Sequence, residues 1–512
     1  MFELLPLLFC VAASVAVFDR THAPALPSSP VPARTLTPPS TPEEALAVDY
    51  LLRVLPGRDL VEVTLDVRGL DPEAETLDLS MIEGFAYVRL ERPRLDGDVL
   101  ARASGGEDAA PLAVEHVSPY LWRVATGGAE AITVSYAVPQ DHRTLPEVLG
   151  RDEYEYPYLE ETHGMLVTGT LLLRPDRRAT SARRVRFELP QDWAVHAPWP
   201  DHSGGGFAPP SDRALANDLI AVGGWSTRVI EVGAFEVTVA ASSHQPDLLE
   251  AVAAPLEAIV REELALFGTQ PNGRYLVLFG RPDIQGFGGS PKTGSMTLAI
   301  REDLVGRMEG AIEHLVAHEF FHTWGQSRAP LPDELRWLNE GVTDYFAYLA
   351  PLRAGLIAPE AFERTLLEKL RALEANGARA KLALAAAGGP AFFEGGDAYS
   401  LCYDGGLVIG AWLDASLRAL DEPTTLIEVL RDFLGDARWD DLGAEPTTAD
   451  FLAVVAARGG AALAARLREL TSEPLAELDA ELLFAEAGVL LEDGESGTPG
   501  RIVSGPWRDE AP

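Results

Sequence analysis

The chain is nearly without cysteine and poor in positive charge, and each shortage removes a class of function. Cys10 and Cys402 are its two cysteines, and with a cleaved N-terminus one thiol remains, which excludes an intramolecular disulfide framework. Stability must then come from packing and from a bound metal. Lys and Arg number 42 against 78 Asp and Glu, a formal net charge of −36. That balance argues against nucleic acid and against an anionic membrane surface as partners. It is compatible with a cationic substrate end, such as a peptide's free amine. The apolar run at residues 4–18 is shorter than a membrane span needs. It has no Lys or Arg before it and carries Glu3, yet Ser14-Val15-Ala16 resembles a signal-peptidase site. Residues 1–23 are therefore read as a signal peptide or membrane-proximal segment and 24–45 as a Pro-rich linker. The expectation is an exported chain, whether periplasmic, secreted or tethered to a membrane.

Against this background one segment stands out, His318-Glu319-Phe320-Phe321-His322. Histidines four apart on a helix lie one turn above each other, so both imidazoles reach one metal ion. The intervening Glu319 stands where it can take a proton from a water held by that ion. Ile312, Leu315, Val316, Phe320 and Phe321 make the helix apolar and buried. Burying two histidines and a glutamate there without a partner would cost several kcal/mol.

A third ligand is needed. A same-segment histidine would fall at position 328, which is Arg328. Glu340, eighteen residues past His322 in Asn339-Glu340-Gly341, is the candidate. Gly325, Pro330 and Pro332 break the first helix, and Asp333 is placed to cap a second that returns Glu340 to the metal. Asp344, one turn on, can accept the outer N–H of a ligating histidine and fix its tautomer. His314 is one turn before His318, but ligands at i, i+4 and i+8 span about 12 Å of helix and cannot share one ion. It is expected to be a polar residue on the rim.

Around this centre the hydrophobic period changes along the chain. A length of 512 residues suits about two to four domains. Residues 46–241 alternate as strands: Val61, Val63, Leu65 and Val67 are the clearest case, with further runs at 131–138, 164–173, 184–189 and 227–240. This predicts an all-β, sandwich-like domain. From Pro246 the pattern is helical to Gly268, followed by a strand at 274–279, a glycine-rich loop holding Gly288 and Gly289, and a strand at 295–300. The metal helices complete a unit over 242–355. Helical segments at 360–375, 403–420, 424–434, 448–458 and 460–471 form a third region, 356–490, and 491–512 reads as a flexible tail.

The segments around His318–Trp324 and Trp337–Leu349, with Tyr403-Asp404-Gly405-Gly406-Leu407-Val408 and Trp412-Leu413-Asp414, resemble the M61 (glycyl aminopeptidase) family of gluzincin metallopeptidases. The likeness runs from about residue 46 to 490. It implies an α+β multidomain fold: an N-terminal β domain, a thermolysin-like zinc peptidase domain and a C-terminal α-helical domain. It implies one zinc per chain on His318, His322 and Glu340, and Tyr403 as the donor to the tetrahedral oxyanion. Where the family carries a glutamate after its paired glycines, this chain has Gly288-Gly289-Ser290-Pro291-Lys292.

The expected function is zinc-dependent hydrolysis of peptide bonds with Glu319 as general base and Tyr403 as oxyanion donor. Gly288, Gly289 and strand 295–300 are expected to hold the substrate in extended form by edge pairing. Two other readings stay open: a zinc endopeptidase, which the missing acid favours, and a non-catalytic binding module on a zinc fold.

Overall fold

The computed structural model describes residues 46–510 apart from 83, 86–87, 91, 105–108, 141–147, 150–155, 177–179, 243–244, 269–272, 281–286, 301–309, 326–330, 437–438, 440–444 and 493–500. The expected leader and linker, with Cys10, lie outside the described residues, as do Arg328 and Pro330.

The strand alternation read from the sequence builds a β-rich N-terminal region. Val61, Val63, Leu65 and Val67 all point inward and are buried. Their strand, Leu60–Arg68, lies between Leu46–Leu55 and Ala131–Pro139 in a six-stranded sheet. A four-stranded sheet containing Thr76–Ser80 and Leu121–Ala125 contributes Leu77, Leu79, Trp122 and Val124 to the same core. A further four-stranded sheet holds His163–Val167 and Leu219–Gly223. The run expected to stay extended over 164–173 is cut short, because a 3-10 turn at Thr168–Thr170 follows Val167.

The boundary expected at residue 241 falls inside a sheet. Strands Ser226–Val232 and Phe235–Ala241 pair not with the β region but with Arg274–Phe279, and so belong with the metal helix. Period alone shows that a segment is a strand, not which sheet takes it. Among the described residues the order of this sheet is Ser226–Val232, Phe235–Ala241, Arg274–Phe279, Ser295–Ile300, Phe287–Pro291. Phe287–Pro291 is thus an edge strand and Ser295–Ile300 is interior, which corrects the strand expected to pair with substrate. Helix Pro246–Phe267 makes the crossover between the parallel pair Phe235–Ala241 and Arg274–Phe279. Its stripe Leu248, Val252, Leu256, Ile259 and Val260 covers the sheet.

The C-terminal part is helical, and its core is continuous with the helix that carries Asp344: Leu338, Tyr345, Leu349, Leu366, Leu407 and Leu430 share one cluster. The two helices expected at 448–458 and 460–471 occupy Thr448–Ser472, where Gly460, at φ 88° and ψ 160°, is non-helical and separates them. The described part of the expected tail is anchored. Arg501–Ser504 pairs with Leu490–Glu492, and Trp507 is buried, its indole N–H donating to the Tyr345 hydroxyl at 2.8 Å. Glu510 receives both Arg353 and Arg418. A Gly/Ser/Pro-rich composition hides these anchors, Trp507 among them, that tie the segment down.

Candidate metal centre

Helix Ala311–Gly325 is buried on almost every side because two cores claim it. Ile312, Leu315, Val316 and Phe320 face the sheet, while Phe321 faces the C-terminal helices. His318 and His322 project from it onto the turn Trp337–Val342, which carries Glu340. That turn is π-helical and not the Asp333-capped α-helix expected: Asp333 lies in a short 3-10 turn and pairs with Arg336. A π turn widens the helix by one residue and is common where a side chain must be re-aimed.

Three donor atoms meet. His318 Nε2 and His322 Nε2 are 3.1 Å apart, and Glu340 Oε2 lies 3.5 Å from the first and 3.6 Å from the second. Bonds of about 2.0–2.1 Å in a tetrahedron place ligand atoms roughly 3.3–3.4 Å apart, so the triangle fits a first-row divalent ion with one position left over. All three residues are buried. Burial pushes Glu340 up, but His318 and His322 outweigh it and hold the carboxyl well below its ordinary range. Burial disfavours charge on His318 too, yet hydrogen bonds to Asp344 and Glu340 push its pKa up to about 10 in the metal-free protein. His322 is lowered, mainly by burial.

Asp344 stands behind His318, with Oδ1 3.2 Å from Nδ1. The same oxygen is 2.7 Å from His314 Nε2, and the His314 ring lies 4.2 Å from that of Tyr348. His314 is therefore buried beneath the site and not on its rim, since helix 343–353 closes over it. His314, His318 and Asp344 also fall within metal-binding reach of one another. A 2.7 Å contact is a hydrogen bond, however, and the Lys369 ammonium 3.8 Å from Asp344 Oδ2 already supplies positive charge.

Tyr403 arrives on a second π turn, Leu401–Gly405. Its hydroxyl donates to Glu340 Oε2 at 2.8 Å, and its ring stacks on Tyr399 at 4.6 Å. Two glycines explain the approach. A Cβ at Gly341 would lie 2.4 Å from Gly406 Cα, and one at Gly406 would lie 2.3 Å from the Trp337 carbonyl oxygen. Bare backbone touches bare backbone, and this contact brings the two π turns together.

Glu319 faces the sheet edge. A Cβ at Gly289 would lie 2.4 Å from Glu319 Cγ and 2.6 Å from Cδ, so the strand passes directly over this side chain. Gly288 is its neighbour in the same strand, opposite Ala299. Proline supplies no backbone donor, so the sequence predicts an irregular start to the substrate-binding edge at Pro291, but the pairing there is regular. Pro291 stands opposite Met296 in register, and the Lys292 N–H bonds inward to the Ser295 carbonyl. Alternation then turns position 291 outward, where the missing N–H breaks no ladder bond. Alternation also puts Pro291 on the Glu319 side of the strand with Gly289, and Ser290 and Lys292 on the other.

Lys369 and Asp404 join the site although no sequence motif assigns them a role. The Lys369 Nζ donates to Asp404 Oδ1 at 2.8 Å. One lysine on an amphipathic helix gives no signal of its own, though Asp404 sits beside Tyr403 in the quoted motif.

Residues 311–396 match the profile of the M61 glycyl aminopeptidase family, and residues 93–217 match the Peptidase M61 N-terminal domain. No curated protein matches. Among solved structures, an aminopeptidase N family protein from Idiomarina loihiensis aligns with a TM-score of 0.69 at 18% identity, covering 88% of this chain and 81% of that one. An M1 zinc metallopeptidase from Deinococcus radiodurans gives 0.53 at 16% identity, over 84% of this chain and 94% of that one. A mutant of the latter bound to a Tyr-Ser-Ala substrate gives 0.53 at 16% identity, over 84% and 95%. At these identities the neighbours speak for the fold.

Proposed function

We propose that the chain, which matches the M61 glycyl aminopeptidase and M61 N-terminal domain models, is a zinc-dependent peptidase of that family with His318, His322 and Glu340 as ligands, Glu319 as general base and Tyr403 as oxyanion donor. The observation that carries the reading is the buried triangle of two imidazoles and a carboxylate at tetrahedral spacing, with Glu319 pressed against a sheet edge.

Zinc bound there would act as a Lewis acid and make a water nucleophilic near neutral pH. The rest is done by side chains. Asp344 accepts the His318 Nδ1–H, which fixes the tautomer and turns the Nε2 lone pair toward Glu340 and His322. Glu319 takes a proton from the attacking water and passes it to the leaving amine. Tyr403, whose hydroxyl donates to Glu340 here, would serve the oxygen that becomes negative at the scissile carbonyl, where a fixed donor is most effective. The edge strand Phe287–Pro291 aligns an extended peptide over Glu319.

A second reading, endopeptidase action, is favoured by Pro291. An aminopeptidase needs an anion near the substrate's free amine, and here a proline ring shares the Glu319 side of the strand. A peptide-library digest with and without chelator tests both modes. N-terminal trimming supports an aminopeptidase and internal cuts an endopeptidase. Chelator-insensitive cleavage, or no cleavage, removes the zinc peptidase reading.

A further inference from the structure

Asp344, which orients His318, is itself held by a layer of charge that the hydrolytic scheme does not use. Asp344 Oδ1 receives two imidazoles, His318 Nδ1 at 3.2 Å and His314 Nε2 at 2.7 Å. Its other oxygen is 3.8 Å from Lys369 Nζ, which also holds Asp404 Oδ1 at 2.8 Å. These groups come from four elements: helix Ala311–Gly325, helix Thr343–Arg353, helix Pro359–Ala375 and the turn Leu401–Gly405. Asp344, His314 and Asp404 are buried.

The arrangement has a physical logic. Asp344 and Asp404 flank one cation, and without it two carboxylates would repel each other across a poorly solvated space. An Asp344 pushed off its position would leave His318 Nδ1 without the acceptor that orients the ring. His314 occupies the same oxygen from the other side, so the carboxylate is bound on both flanks and has little freedom to rotate. Asp404 follows Tyr403 directly, which joins this layer to the turn that brings the tyrosine hydroxyl to Glu340.

We propose that Lys369, with His314 and Asp404, forms a positioning frame that fixes Asp344 and thereby sets the metal affinity of the His318–His322–Glu340 site. This rests on reading that site as a zinc site, and zinc affinity, not peptide cleavage, is the measured quantity. Lys369→Met removes the cation at similar length, Lys369→Arg restores it, and His314→Phe keeps a ring beside Tyr348 while removing the donor.

Chelator competition on the folded full-length protein gives the zinc dissociation constant of each variant. Lys369→Met weakens zinc binding by about ten- to a hundredfold, the usual range for partners outside the ligand set. Lys369→Arg stays within about threefold of wild type, and His314→Phe loses about three- to tenfold, as one of several such partners. A purely structural lysine would lower the urea midpoint and leave the dissociation constant unmoved, which would overturn the proposal. So would Lys369→Arg as weak as Lys369→Met. Should Lys369→Met fail to fold, His314→Phe decides alone, and an unchanged constant there is refuting. A wild-type chain that takes up no zinc overturns this frame and the peptidase reading together; a normal wild type with unaffected variants overturns the frame only.

Discussion

Replacing Gly289 with alanine probes the catalytic arrangement without touching a metal ligand. The new Cβ would sit 2.4 Å from Glu319 Cγ and 2.6 Å from its Cδ. Carbon atoms in ordinary contact stand about 3.5–4.0 Å apart, so strand and glutamate must separate by roughly 1 Å. The β-sheet is held by its ladder to Ser295–Ile300, whereas the glutamate can rotate, so the side chain takes up most of the shift. A general base displaced by about 1 Å loses on the order of a hundredfold in rate, near 2.7 kcal/mol. Glu319→Gln sets the scale, with an expected loss of at least about a hundredfold and the metal retained. Gly289→Ala should approach that loss in kcat, with zinc content and thermal midpoint close to wild type. Single-turnover cleavage of a fluorogenic peptide, with metal analysis of the same samples, checks it. Near wild-type turnover would mean that Glu319 is not poised against this strand. Loss of zinc from either variant would mean that Glu319 serves the metal and not the proton.

Three further expectations follow from the same geometry. Tyr403→Phe should lower kcat by about 3–4 kcal/mol of transition-state stabilisation while KM and zinc content stay near wild type; zinc loss would show instead that its 2.8 Å bond to Glu340 is its main role. N-acetylating a good substrate should reduce kcat/KM by less than about tenfold, or about 1.4 kcal/mol, because Pro291 offers no anion to a free amine; a thousandfold loss would reveal a substitute acid elsewhere. Hydrogen bonds to Asp344 and Glu340 push the His318 pKa up to about 10 in the metal-free protein, so at pH 6–8 zinc should displace its proton, and affinity should tighten by about tenfold per pH unit as pH rises. Chelator competition at pH 6, 7 and 8 reads this slope, and a flat profile would contradict it.

The parts of this molecule that could be read from sequence are those in which chemistry forces residues into fixed spacing. Two imidazoles on one ion require i and i+4 on a helix, and a buried strand pair requires alternation, so His318, His322 and the run Val61–Val67 were visible at once. What escaped depends on partners far apart in the chain. Lys369 acquires its role from Asp344 and Asp404, each some tens of residues away on other elements. His314 looked peripheral because the helix that buries it follows a chain reversal. The strands at 226–232 and 235–241 have the period of the region before them but hydrogen-bond to the region after. The glycines of Asn339-Glu340-Gly341 and Tyr403-Asp404-Gly405-Gly406 were seen as motif letters, and the structure gives their reason: Gly341 and Gly406 bring two π turns into backbone contact.

Metal analysis of the purified chain is the most direct test of the central claim. The account predicts one zinc per chain in wild type, and loss of most of that zinc in His318→Ala and in Glu340→Ala. Both variants should remain folded by circular dichroism, since the surrounding apolar packing is untouched. Full zinc in either variant would contradict the assignment of the centre.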